Sequence, residues 1–321
     1  MRVAIVDGDT LSYRSAAASE KRSIIVKHLK SGREKEFKNR TEFIEFLKEK
    51  GIEYKKESYS ITDKQEPEPE SHCCQMISLQ VKKIGAFLNA DHVEIYIGGE
   101  NNFREKLELP SKYKGNRVDM LRPILLDSAK TYVMKQYAGG LVTGMEADDM
   151  LHIRAYELLR SGHEPILCSQ DKDARQGVGL TIYNWTLDNP VLESIPVFGD
   201  LRFNKAKNKV EGEGLKWLCF QLLYGDPTDN YKPCELSKTR FGAISAYNLL
   251  KDTKTVDELF SVVEKQYKDW YPSPVKYLTW DGKEVTKDWK GILDMYFKCA
   301  YMLRQYDDET TFDSLWREFR A

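Results

Sequence analysis

The feature that most limits how this chain can fold is a cluster of negative charge set directly against an apolar run. Glu146, Asp148 and Asp149 stand within four residues of one another, and Met150, Leu151 and Ile153 follow at once. The apolar residues draw the segment inward. The carboxylates repel one another and lose solvation on burial, which raises their pKa values unless a cation lies among them. Further acids recur in Asp171-Lys172-Asp173 and in Gly225-Asp226-Pro-Thr-Asp229-Asn230, and others stand near the start in Val6-Asp7-Gly8-Asp9. No His or Cys occupies matching positions. Oxygen donors alone select a hard cation, Mg²⁺ or Mn²⁺, over zinc. Each motif also has a purely structural reading. Acids at a helix start cap it and match its dipole, Asp-Lys-Asp is a common turn, and Gly-Asp-Pro-Thr-Asp-Asn suits a turn closed by Asx side chains. Their joint placement at successive strand ends favours a shared site. Asp9, two residues past Asp7, reads as a capping residue.

The 49 basic and 50 acidic residues nearly cancel, for a net charge of −1. If the clustered acids surround metal, the remaining surface is positive on balance, so the near-neutral sum leaves a nucleic-acid partner open. A hydrophobic share of 41% with 12% aromatics supports a packed core and excludes a disordered chain. The cysteines at 73, 74, 168, 219, 234 and 299 have no metal-ligand spacing. Cys168, Cys219 and Cys299 lie in apolar stretches and read as buried thiols, and His72-Cys73-Cys74 reads as the first turn of a helix. With no signal-peptide pattern and no apolar run long enough to span a membrane, a reduced, cytoplasmic setting is expected.

Residues 1–7 read as a buried strand ending in an acid, with Gly8 allowing a sharp turn into a helix from Leu11. Residues 23–39 alternate around Ser31-Gly32-Arg33 as a β-hairpin, a basic one that is either a solvated face or a DNA contact. Thr41 is expected to cap a helix to about Lys50, and residues 57–70 form a polar excursion that cannot be core. Residues 20–70 therefore read as an insertion. A helix over 71–88, a strand over 93–97, a helix over 121–136, a strand over 141–143, a helix over 146–160 and a strand over 165–169 come after it. Strand and helix alternating with acids at strand ends predict a doubly wound, mostly parallel α/β core. Short strands over 181–185 and 191–197 come next, then helices over 215–224, 241–250, 256–268 and 289–303. The Trp280-Asp-Gly-Lys-Glu284 stretch reads as a turn. The division expected is a core over 1–204 and a helical subdomain over 205–321.

Six motifs in order carry a resemblance: Asp7-Gly with Tyr13-Arg14, Phe103-Arg104, Tyr113-Lys-Gly-Asn-Arg117, Glu146-Ala-Asp-Asp149, Asp171-Lys-Asp173 and Gly225-Asp-Pro-Thr-Asp-Asn230. Over residues 1–20 and 71–250 the chain resembles the flap endonuclease superfamily, in particular the tailed-phage 5′→3′ exonucleases and the 5′-nuclease domain of bacterial DNA polymerase I. The resemblance implies a PIN-like α/β fold with a helical arch over residues 100–120 and a helix-two-turn-helix in the C-terminal part. It implies that Asp7, Glu146, Asp148, Asp149, Asp171, Asp173, Asp226 and Asp229 hold two Mg²⁺ ions, with Mn²⁺ able to substitute. Two such ions about 4 Å apart activate water and stabilise the leaving 3′ oxygen. Lys114 and Arg117 match the arch residues that steer the scissile phosphate, and Tyr113 is placed to stack on or pack beside a base.

The implied activity is 5′→3′ hydrolysis of duplex DNA from a 5′ end, and of the RNA strand of RNA–DNA hybrids. It would serve phage DNA replication and host DNA degradation in the host cytoplasm, alongside phage replication proteins. The sequence departs from the family pattern in two places. Ile97 stands where an acid usually ends the strand before Phe103-Arg104, with Glu100 the nearest carboxylate. Of the glycines in the turn after Asn230 only Gly242 remains, and Ile244 stands where relatives often carry Lys. Arg104, Lys238 and Arg240 complete the nucleic-acid contacts expected, the last two as plain phosphate contacts. Competing functions are a structure-specific 5′ flap endonuclease, a PIN-type ribonuclease, and a DNA-binding module that has lost catalysis.

Overall fold

A computed structural model describes residues 1–117 and 121–320. Three residues of the expected arch, 118–120, and the last residue of the expected helical subdomain lie outside the described residues. In chain order the elements are β1 (Arg2–Asp7), α1 (Gly8–Ala18), β2 (Glu20–His28), β3 (Glu34–Phe37), α2 (Arg40–Glu49), β4 (Tyr59–Pro67), α3 (Glu70–Leu88) and β5 (His92–Gly98). Next come α4 (Leu126–Gln136), β6 (Ala138–Val142), α5 (Ala147–Arg160), β7 (Glu164–Cys168), β8 (Thr181–Tyr183) and β9 (Leu192–Ser194). The remainder is β10 (Leu201–Asn204), β11 (Lys209–Gly212), α6 (Gly214–Tyr224), α7 (Ala243–Leu250), α8 (Val256–Trp270), β12 (Val275–Leu278), β13 (Glu284–Lys287), α9 (Trp289–Ala300) and α10 (Phe312–Arg320). No helix among the described residues is long and apolar enough to cross a membrane.

The chain forms two compact units, one of Met1–Asp9, Ile84–Met120 and Tyr137–Ala321, the other of Thr10–Lys83 with Leu121–Gln136. The larger unit holds a six-stranded sheet in the order β6-β5-β1-β7-β8-β9, parallel throughout except for the β8–β9 pair. Val3, Ala4, Ile5 and Val6 are all buried, as a central strand covered on both faces requires. Val3, Ile5, Leu151, Ala155, Leu158, Leu167 and Ile182 share one core cluster. Because β1 and β7 run the same way, their carboxyl ends open on one edge, and the loops carrying Asp7 and Asp171 begin there. The expected α/β fold class is the one found.

The helices of the same unit pack through a second core that includes Leu222, Phe260, Tyr267, Tyr296, Phe297 and Phe312. Residues Gly214 to Leu223 of α6 are all buried, Lys216 and Gln221 included, so this helix is covered on every face and central to that core. In the smaller unit β2 is flanked by β3 and β4, over a core of Ile24, Val26, Phe37, Phe43 and Leu47.

Several expectations are corrected. The polar stretch after residue 57 contains β4, paired with β2 over nine residues. Backbone pairing carries it whatever its side chains are, and no residue of the strand is buried. Asn39, not Thr41, caps α2, accepting from Glu42 N–H at 2.9 Å. Helix α4 starts at Leu126 rather than 121, as Pro123 and its effect on the residue before it dictate. The hairpins β10–β11 and β12–β13 and the helix α10 lay outside the expected elements, although Phe312, Leu315, Trp316 and Phe319 of α10 have helical spacing.

Candidate active site

β1 delivers Asp7, 5% exposed, to the carboxyl edge of the sheet. Gly8 must be glycine, because a Cβ there would lie 2.6 Å from the Tyr96 carbonyl oxygen. Ser169, just beyond β7, links two of the acidic segments. Its hydroxyl donates to Asp7 Oδ2 at 3.4 Å and accepts from Asp171 N–H at 3.0 Å. Asp171 in turn accepts from Asp173 N–H at 2.9 Å, the Asx turn that Asp-Lys-Asp allows. Glu146 caps α5, and Asp148 lies in its first turn. Burial pushes the Asp148 carboxyl well above its usual range, and the charges of Asp171, Asp7, Glu146 and Asp173 push it further. Those four acids therefore act on Asp148 together, although they come from three places in the sequence.

Asp173, Asp226 and Asp229 form a compact group, with one carboxylate oxygen from each lying within 4.8 Å of the others. Gly225 makes the turn that holds the last two. Its φ is +83°, and a Cβ would meet the Tyr231 carbonyl at 2.3 Å. Burial first, then Asp171, raises Asp173 to about 8. Burial also raises Asp229, although Lys114 and a hydrogen bond from Tyr113 pull the other way. Such a set of oxygen donors fits a hard divalent cation.

Side-chain cations sit among these acids. Lys114 pairs with Glu146 and lies 3.7 Å from Asp229 Oδ1, and Arg117 Nη2 stands 2.7 Å from the same oxygen. Burial lowers the Lys114 pKa, but Glu146 and Asp229 more than reverse this and keep it charged. Lys172 pairs with Asp226. Lys172 was not expected at the site, although it lies between two acids that were. Gln221 was missed as well: its side-chain N–H donates to Asp173 Oδ1 at 2.5 Å. The signal for it was a polar residue in the otherwise apolar run Trp217 to Leu223 of α6. Asn102, which donates to Glu146 at 2.8 Å, had no signal in the sequence.

Three residues stand differently from expectation. Asp149 is fully buried, and its two oxygens accept from Arg104 Nη1 and Nη2 at 2.5 and 2.9 Å, from Glu146 N–H at 3.1 Å and from Leu303 N–H at 3.2 Å. Four donors occupy the four lone-pair directions, leaving none for a cation. Burial alone would raise the Asp149 carboxyl, but Arg104 holds it below its usual range. Arg104 is 0% exposed and also donates to the Cys299 and Tyr301 carbonyls, at 3.1 and 2.8 Å. These bonds fall around Ala300, where α9 ends short of the expected 303, and they leave Arg104 no face for DNA. Tyr113 is buried, stacked on Tyr231, and donates to Asp229 Oδ2 at 2.7 Å, so it packs within the protein instead of meeting a base.

The crowded acids predict a pH dependence. Asp173 has a folded pKa of about 8, against about 4 for an unfolded Asp. Between those values the folded chain holds a proton that the unfolded chain has released, so metal-free stability falls as pH rises from about 4 to about 8. Asp173→Asn should therefore melt higher than the parent in chelator at pH 8, by on the order of 5 °C. The difference should vanish near pH 4. A lower melting temperature for the variant at pH 8 would show that these acids are not in conflict.

No family model matches the chain, and no curated protein matches it. Among solved structures, the D15 flap endonuclease of bacteriophage T5, in a pseudo-enzyme–product complex with DNA and metal ions, aligns over 99% of this chain and 98% of its own. The TM-score is 0.50 at 13% identity. The chain carries the fold of that flap endonuclease. T5 D15 protein co-crystallised with metal ions aligns over 99% of this chain and 98% of its own, with a TM-score of 0.49 at 13% identity. A mutant T5 5′-exonuclease aligns over 93% and 87%, with a TM-score of 0.44 at 14% identity.

On this T5 nuclease fold Ile97 is fully buried at the end of β5, and Glu100 is exposed on the next turn, its carbonyl accepting from Gly144 N–H at 3.0 Å. Asp9 accepts from Gly98 N–H at 2.8 Å, which ties it to the end of β5. Lys238 and Arg240 are exposed. They line a cleft of about 700 Å³ together with Pro227, Asn230 and Tyr231 of the Asp226–Asp229 turn.

Proposed function

We propose that this chain is a divalent-metal-dependent 5′ nuclease that hydrolyses phosphodiesters of DNA. The observation that carries this reading is the group of Asp173, Asp226 and Asp229 within 4.8 Å, beside an Asp148 pressed by Asp7, Glu146, Asp171 and Asp173 and bordered by Lys114 and Arg117. The fold shared with a T5 flap endonuclease bound to DNA and metal ions supports it. Asp7, Glu146, Asp148 and Asp171 would hold one Mg²⁺ or Mn²⁺ ion, and Asp173, Asp226 and Asp229 a second; Asp149 is left out. Bound there, such ions supply Lewis acidity and neutralise charge developing on the phosphate. Lys114 and Arg117 exchange their carboxylate partners for the phosphate and fix its orientation. Lys238 and Arg240 hold duplex phosphates, with the helices after residue 205 as the DNA-binding part. The substrates proposed are duplex DNA with a 5′ end and the RNA strand of RNA–DNA hybrids, in the service of phage replication. A module that only binds DNA gains nothing from a group of phosphate-repelling acids.

Cleavage of 5′-labelled blunt duplex, 5′ flap and RNA–DNA hybrid, each with Mg²⁺ and with EDTA, tests the reading. Short labelled products lost in EDTA are expected. Flap-length products would move the assignment to structure-specific cutting, and DNA binding with no cleavage of any substrate would overturn it. Lys114→Ala should lower kcat about 100-fold, within the range of a lost charge-stabilising contact, with KM changed less than about threefold. An unchanged kcat would remove the steering role.

A further inference from the structure

The β12–β13 hairpin lies outside the acidic centre, yet it is tied to the segment that leads into it. Trp280 N–H donates to the Leu109 carbonyl at 2.9 Å, and the Tyr277 hydroxyl donates to the Glu108 carbonyl at 2.8 Å. The Glu108 carboxylate pairs with Lys287 at 2.8 Å and also with Lys283. These ties use backbone, Tyr and Lys groups. The Trp280 side chain is left 40% exposed, with Lys112 Nζ 5.1 Å from its ring centroid. A large indole is ordinarily among the side chains that gain most from burial. Two residues after Lys112 comes Lys114, paired with Glu146, and then Arg117, paired with Asp229. A large exposed ring thus carries a cation over one of its faces, and that cation belongs to the same short segment as the two proposed phosphate-steering residues.

We infer that Trp280 and Lys112 form a platform on which an unpaired base of a single-stranded 5′ extension stacks, with Lys112 meeting its phosphate. This rests on the nucleic-acid reading of the acidic centre. The chemistry selects a single strand because bases inside a duplex already stack on their neighbours, whereas an unpaired base offers a free π-face to any aromatic ring. The basic residues along the segment complement a phosphate backbone.

The test is fluorescence anisotropy in EDTA, with a labelled duplex carrying an oligothymidine 5′ extension compared with the blunt duplex. Trp280→Ala should weaken binding of the extended duplex about tenfold, the scale of one lost base–aromatic stack, and leave blunt-duplex binding unchanged. Trp280→Phe should keep most of the affinity. Lys112→Ala should reduce the salt dependence of binding the extended duplex by about one phosphate contact. Side-chain substitution spares the Trp280 N–H tie, so the hairpin should remain docked, and the Phe and Lys112 variants keep the test alive if the Ala variant misfolds. Equal loss on both duplexes, or no loss on either, would overturn the platform. Cleavage is read in parallel. A parent protein that binds the extension through Trp280 yet cuts neither duplex would uphold the platform and remove the nuclease reading. Active enzyme whose Trp280 variants bind like the parent would do the reverse.

Discussion

Arg104→Ala should cost about 3–5 kcal/mol of folding stability, the range for breaking a buried ion pair from one side. Arg104 and Asp149 are both 0% exposed, and their two parallel hydrogen bonds join α5 to the end of α9 through the Cys299 and Tyr301 carbonyls. Removing the guanidinium strands a buried carboxylate and two carbonyls at once. Urea denaturation measures the loss, and a change below about 1 kcal/mol would mean that the pair is not closed as described. Replacing both partners with apolar residues of similar size should recover much of the loss, because the desolvation of both charges disappears. Asp149→Asn should likewise destabilise the metal-free protein, whereas Asp173→Asn should stabilise it at pH 8. The opposite signs separate an acid engaged in structure from one free to meet a cation.

Asp173→Asn should also lower cleavage about a thousandfold, the rate equivalent of ~4 kcal/mol, which is the scale on which a catalytic metal stabilises developing charge. DNA affinity in chelator should stay the same or rise, since one phosphate-repelling charge has gone. The carboxylate belongs to the group within 4.8 Å that includes Asp226 and Asp229, and Gln221 holds it in place. Single-turnover cleavage with saturating Mg²⁺ provides the rate, and anisotropy in EDTA the affinity. A variant that cuts within tenfold of the parent would take Asp173 out of the reactive centre. Loss of affinity in step with rate would instead assign it a binding role.

The α/β architecture was legible because it rests on local signals. The apolar run Val3 to Val6 reads as a buried strand, the acidic start of α5 as a helix opening, and their alternation as a parallel sheet whose carboxyl edge gathers the loops leaving its strands. The six ordered motifs pointed to the fold shared with the T5 enzyme. Local signals were weaker for β4, where backbone pairing outweighed a polar sequence, and for the boundaries of α4 and α9, set by Pro123 and by Arg104 capturing the carbonyls of residues 299 and 301.

Residue roles within one motif were harder to read, because adjacent carboxylates look alike until the chain folds around them. In Glu146-Ala-Asp-Asp149 a helical step of about 100° turns Asp148 towards Asp7 and Asp171 and Asp149 towards Arg104. Tyr113 and Arg104 carried the composition of a nucleic-acid contact and proved to be interior. Lys172 and Gln221 entered the site through neighbours far away in the chain, Asp226 and Asp173. By itself, then, the sequence determined that carboxylates would meet at a sheet edge, since strand direction and apolar periodicity are properties of short segments. Which carboxylates face one another, and which are neutralised by an internal arginine, only the tertiary structure decided, because the electrostatic energy of a charge depends on burial and on groups brought near it from elsewhere in the chain.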